Sequence, residues 1–115
     1  MCVSKKLKVK DAERFCADNG STLFNLHHYS CTALIEIEKF MITKNRGKSN
    51  WFWVKQKNDK IYKCKNAKSC ENRYGYTFCK EEEKPKKYYT VCAAPNTFDD
   101  FYNYHNSDLC QDRLR

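Results

Sequence analysis

At 115 residues, 41% hydrophobic and 15% aromatic, the chain has material for one compact core and therefore for a single domain. Its longest apolar run, Trp51-Phe52-Trp53-Val54, is far too short to cross a bilayer, and three glycines argue against a glycine-rich phosphate loop. The net charge of +8 favours anionic partners such as sulfated glycans, acidic protein faces or lipid headgroups, set against the plainer alternative of a solvated, lysine-biased surface.

The opening residues Met1-Cys2-Val3-Ser4-Lys5-Lys6 run into further lysines without the apolar stretch of an export signal, and Met1 reads as a remnant of processing. From Val9 to Asn19 the apolar Ala12, Phe15 and Cys16 fall at helical spacing, and Asn19-Gly20 tolerates a left-handed C-cap, so a first helix is predicted there. Asn19-Gly20-Ser21 is also an N-glycosylation sequon at a surface turn, the alternative being an unmodified cap. Leu23 to Tyr29 shows no assignable period. A second helix is expected to begin near Ser30 or Thr32, where a hydroxyl can cap it. It carries Ala33, Leu34, Ile37, Phe40 and Met41 on one face and ends around Lys44 to Gly47.

After Asn50 the pattern becomes strand-like. Trp51-Phe52-Trp53-Val54 reads as a buried central strand, Tyr74, Tyr76 and Phe78 alternate with Gly75, Thr77 and Cys79, and Tyr88 to Ala93 forms another β-rich run. Ala94-Pro95-Asn96 punctuates the chain. The domain is expected to occupy residues 1–95 and a C-terminal extension 96–115, in which Phe98, Phe101, Tyr102 and Tyr104 pack back with Cys110 as an anchor. Most of the positive charge is assigned to loops: Lys55, Lys57, Lys60, Lys63, Lys65 and Lys68 in one cluster, and Lys80, Lys84, Lys86 and Lys87 around Glu81, Glu82 and Glu83 in another.

Eight cysteines at this density in so short a chain fit a secreted domain stapled by disulfides. Structural zinc would want thiolate pairs such as Cys-x2-Cys, and none occurs; Cys64, Cys70 and Cys79 are spaced too widely for that role. Eight cysteines allow about a hundred connectivities, so spacing alone selects none.

Two helices followed by several strands give an α+β arrangement. The run Ala12-x-x-Phe15-Cys16-x-x-x-Gly20-x-x-Leu23, the later Ile37-x-x-Phe40, the tryptophan-led strand at Trp51 and Val91-Cys92-Ala93 resemble the helix and strand signatures of C-type lectin-like domains, over roughly residues 5 to 95. Trp51-Phe52-Trp53-Val54 only approximates the family's Trp-Ile-Gly-Leu. The resemblance implies two helices packed on a small antiparallel β-sheet and a disulfide from Cys16 to Cys92. It also implies one from Cys64 to Cys79, with Cys70 a competitor for either partner. By the same resemblance, which brings the two chain ends together, Cys2 would pair with Cys110, leaving Cys31 for Cys70.

The family's calcium chemistry is not matched. Its Glu-Pro-Asn or Gln-Pro-Asp loop and Trp-Asn-Asp strand are missing: Asn58-Asp59 follows Lys57, and Lys84-Pro85-Lys86 surrounds its proline with positive charge that repels a cation. The short interval between Trp51 and Cys92 suggests that the site-bearing loop is trimmed. Glu81, Glu82 and Glu83 meet the charge demand of Ca2+, but consecutive side chains do not converge without a special turn. An enzyme reading would use His27, His28 or His105 as proton carriers with Lys65, as in small basic ribonucleases, although that family's lysine segment and cysteine spacing are absent. Lysines interleaved with Tyr62, Tyr74, Tyr76, Tyr88 and Tyr89 suit nucleic acid, but the inferred compartment opposes it and alternating tyrosines are more often half-buried sheet residues.

The sequence therefore points to an extracellular, non-enzymatic recognition or adhesion module, secreted or part of a cell-surface protein, with no cofactor, no metal and no nucleic-acid partner expected. Its partner would be a protein or a sulfated glycan, bound without calcium by Lys63, Lys65, Lys68, Lys86, Lys87 and Tyr88. The alternatives are a secreted ribonuclease-like hydrolase or toxin, and a structural piece of a larger adhesion protein.

Overall fold

The computed structural model describes residues 2–27, 29–44, 46–67 and 78–93. Six strands and two helices follow one another as β1 (Cys2–Leu7), α1 (Val9–Asp18), β2 (Thr22–Leu23), α2 (Cys31–Lys44), β3 (Phe52–Lys55), β4 (Ile61–Lys65), β5 (Phe78–Lys80) and β6 (Tyr88–Ala93). The strands form one sheet in the order β1-β6-β3-β4-β5, with β2 pairing with β6 at Thr22↔Ala93 and Leu23↔Cys92.

The architecture is α+β, but the sheet is mixed and not wholly antiparallel. β3, β4 and β5 are successive antiparallel neighbours, so β5 runs in the direction of β3, while β6 lies parallel to β3 at Phe52↔Tyr89. The connection 81–87 must therefore carry the chain back along the sheet before β6 begins. That crossover brings Glu82 over the sheet.

Strand alternation sorts the side chains into two cores. On one face Phe52, Val54, Cys64 and Val91 join Phe24 and the α2 residues Ala33, Leu34, Ile37 and Met41. Phe40 packs at the margin of this cluster, so the face predicted for the second helix is the one it buries. Ile37 is fully buried, which contributes about 2 kcal/mol of transfer free energy. On the other face Trp53, Tyr88 and Cys92 pack with Leu23 and with Ala12 and Cys16 of α1. Trp53 Nε1 donates to the Leu7 carbonyl at 2.8 Å, which satisfies the only polar atom of a ring that is 2% exposed.

α1 ends where the Asn-Gly pair placed it. Gly20 has φ +73°, Asn19 Nδ2 donates to the Phe15 carbonyl at 2.8 Å and Ser21 Oγ donates to the Cys16 carbonyl at 2.9 Å, so three consecutive residues close the helix. The unassigned segment after it is extended: β2 leads to Phe24, whose N–H donates to Val91 and whose carbonyl accepts from Lys55, and so bridges β6 and β3. β1 and β4, for which no strands were expected, complete the sheet. β4 also corrects the placing of the lysines, because Lys55 ends β3 and Lys63 and Lys65 lie within β4.

Two disulfides are described. Cys16 of α1 is bonded to Cys92 of β6, with Cα atoms 5.3 Å apart, and Cys64 of β4 to Cys79 of β5, with Cα atoms 4.1 Å apart. These are two of the four pairings expected from the lectin-like resemblance. The side chains of Cys2 and Cys31, together with Cys70, Cys110 and the extension 96–115, lie outside the described residues, as do Tyr74, Tyr76 and the aromatic residues of the tail. Among the described residues no helix is long and apolar enough to cross a membrane.

Candidate functional site

The pleat of β4 places Lys63 and Lys65 on one face, two residues apart. Lys63 stands opposite Trp53 of β3 on one side and Lys80 of β5 on the other. Continuing the β3–β4 register one step past Phe52↔Cys64 brings Trp51 opposite Lys65. The sheet thus gathers three lysines around one indole: the Nζ atoms of Lys63, Lys65 and Lys80 lie 4.7, 4.6 and 5.5 Å from the Trp51 ring centroid. All three distances are within the range of favourable cation–π attraction.

The three amines differ in environment. Lys63 is 8% exposed, with its Nζ 2.7 Å from Glu82 Oε2 and 3.1 Å from the Tyr88 hydroxyl. Tyr88 closes the triangle by donating its O–H to the same Glu82 oxygen. Its ring packs edge-on against Trp53 with centroids 5.0 Å apart and lies beside Trp51 at 6.3 Å. A buried ammonium is tolerated here because a carboxylate and a phenol oxygen replace its water. The hydrogen bond from Lys63, then those from Tyr88 and the Lys84 N–H, hold the Glu82 carboxyl down to about 2. The Glu82 bond, seconded by Tyr88, raises the Lys63 amine above its ordinary value, and burial first and Glu82 second raise the Tyr88 phenol. At neutral pH the triangle holds one positive and one negative charge.

Lys63 and Tyr88 therefore point into the protein and support the surface from below. Lys65 is half-buried, its amine against Trp51, and makes no ion pair among the described residues. Lys80, Lys86 and Lys87 are exposed, the last two on the crossover that Glu82 anchors. Lys68 lies outside the described residues. Trp51, Lys80 and Glu82 are the members of this site that the expected binding set lacks: the sequence reads Trp51 as a strand residue, Lys80 as loop charge and Glu82 as one of three carboxylates weighed for calcium. The available signal was the glutamate run beside a lysine-rich strand, but nothing local indicated which glutamate turns inward.

The glutamates do not converge on a cation position. Glu82 turns to Lys63 and Tyr88, while Glu81 lies 3.6 Å from Lys60 Nζ. Among the described residues no three His, Cys, Asp or Glu side chains cluster as metal ligands.

A cavity of about 540 Å3 opens elsewhere, between α1, β2 and the β3–β4 turn, lined in part by Glu13, Leu23, Asn25, His27, Lys55 and Asp59. His27 Nε2 lies 2.9 Å from Asp59 Oδ1 at its rim. The hydroxyls of Ser21 and Thr22, which also line it, donate to the carbonyls of Cys16 and Ala93. Of the residues considered for ribonuclease-like chemistry, His28 and His105 lie outside the described residues, and Lys65 belongs to the Trp51 cluster and does not line this cavity. Comparison with protein-family models, with curated proteins and with solved structures finds no match for this chain.

Proposed function

We propose that the chain is an extracellular recognition module of the C-type lectin-like kind, non-enzymatic and independent of calcium, that binds a protein or an anionic glycan. The observation that carries this reading is the cation-ringed indole of Trp51, where Lys65 and Lys80 flank an aromatic plane and Lys63 is held beneath by Glu82. Aromatic area supplies contact energy while lysines steer an anionic partner into place. The Cys16–Cys92 and Cys64–Cys79 bonds support the lectin-like part of the reading, because they tie the first helix to the last strand and staple the β4–β5 pair. A small disulfide-stapled domain is compatible with an oxidising, extracellular location.

The test is retention of the disulfide-intact protein on immobilised heparin and on acidic extracellular proteins, in calcium and in EDTA. Retention that weakens with salt and is the same in EDTA is expected. Elution from heparin near physiological ionic strength would count against the glycan partner and favour a protein. Loss of all retention in EDTA would overturn calcium independence.

A further inference from the structure

Resting on that recognition reading, we propose that Trp51, Lys65 and Lys80 form a subsite for one sulfated pyranose unit of a glycan chain. The placement follows from sheet geometry: residues two apart on a strand are separated by about 7 Å and cross-strand neighbours by about 5 Å. The lysines thus stand at fixed intervals around a ring that is itself only partly buried.

Charge identifies the ligand class. Glu82 already neutralises Lys63 and Glu81 pairs with Lys60, whereas Lys65 has no carboxylate partner among the described residues. The Lys65 ammonium therefore sits on the ring with its charge unmet among the described residues, and an anion placed beside it there is attracted. Attraction to the indole also orders the lysine chains before any ligand arrives, which lowers the entropy lost on binding. The indole contributes a flat apolar surface. A sulfated pyranose combines the matching features, a flat C–H face and permanently charged groups on its rim. An acidic peptide brings carboxylates on flexible stems and no rigid face to lie on the ring.

The experiment is a titration of the whole chain, disulfides intact, with a heparin hexasaccharide, followed by tryptophan emission and by calorimetry. Trp53 is 2% exposed, so the emission change reports on Trp51. Binding is expected to disappear when the sulfates are removed. Lys65→Ala and Lys80→Ala should each raise Kd about threefold to fivefold, and Trp51→Ala about tenfold, with thermal unfolding confirming that each variant is folded. Lys57→Ala, in the turn beyond the far end of β3, should leave Kd unchanged. Poly-glutamate or an oligonucleotide of equal charge binding as tightly as the hexasaccharide would overturn the sulfated-sugar assignment, as would unchanged Kd in both Lys65→Ala and Lys80→Ala. The broader recognition reading survives those results and fails separately, if neither heparin nor any acidic protein retains the chain.

Discussion

A lysine that is 8% exposed is costly unless its charge is met, and in this fold Glu82 and Tyr88 meet the charge of Lys63 together. The pH dependence follows from the direction of the Glu82 shift. Its folded value, about 2, lies below the ordinary 4.5, so the native state holds the carboxylate more firmly than the unfolded chain does. The resulting stability is fully present above pH 4.5 and is lost as pH falls from there towards 2. Lys63 has the opposite sign: its raised value stabilises the fold below its ordinary 10.5, and that contribution is lost as pH climbs through the folded value. Thermal unfolding followed from pH 7 to pH 2 should therefore show Tm falling below about pH 4.5, and Glu82→Gln should lower Tm at neutral pH while flattening that acid limb. An acid limb as steep in Glu82→Gln as in the parent would assign it to other carboxylates. Tyr88→Phe keeps the ring packing and removes one hydroxyl from a pair that remains intact, so a loss of about 1 kcal/mol in urea unfolding is expected.

The C-terminus of α1 shows how much an element owes to a few residues. Gly20 sits at φ +73°, and a Cβ built there would meet nothing within 4 Å, so any cost of Gly20→Ala is conformational and not steric. A destabilisation of about 1 kcal/mol is expected, seen as a fall in Tm of about 4 °C; an unchanged Tm would show that the turn relaxes freely. This cap was legible because Asn-Gly after a periodic run carries its own backbone chemistry, and α2 was legible because its buried residues recur at helical spacing. β1 was not, since its register shifts between Ser4 and Lys6 and breaks the alternation that marks a strand. β4 was hidden by its own lysines. Ile61-Tyr62-Lys63-Cys64-Lys65 alternates correctly, yet a lysine facing inward looks like loop charge until its partner is known, and Glu82 lies 19 positions further along the chain. For the same reason the sequence places Lys63 and Tyr88 among the residues that touch the partner, whereas both are buried and support the site from below. The direction of β6 was equally illegible, because it depends on a crossover that sequence periodicity does not encode.

At the scale of the molecule the two described disulfides do different work. Cys16–Cys92 spans 76 positions and joins α1 to a strand that contacts β1, β2 and β3, whereas Cys64–Cys79 spans 15 positions and joins two neighbouring strands. In the chain-entropy account the longer closure contributes about 4 to 5 kcal/mol and the shorter about 3, against a total of about 5 to 15 kcal/mol for a domain of ordinary stability. Replacing Cys16 and Cys92 together by alanine should therefore bring the chain close to unfolding at 37 °C, while the Cys64 and Cys79 pair of replacements should leave it folded with a reduced urea midpoint. The second variant separates stability from recognition. The Cys64–Cys79 bond fixes the register that sets Lys63 opposite Lys80; without that bond β5 is the end strand of the sheet and, among the described residues, β4 is the one strand that pairs with it. The lysines then no longer keep fixed distances from Trp51, and more of their ordering must be supplied by the ligand at the moment of binding. The expected outcome is a folded protein by circular dichroism whose affinity for the heparin hexasaccharide falls about tenfold. Unchanged affinity in that variant would mean that backbone pairing alone holds β5 in register.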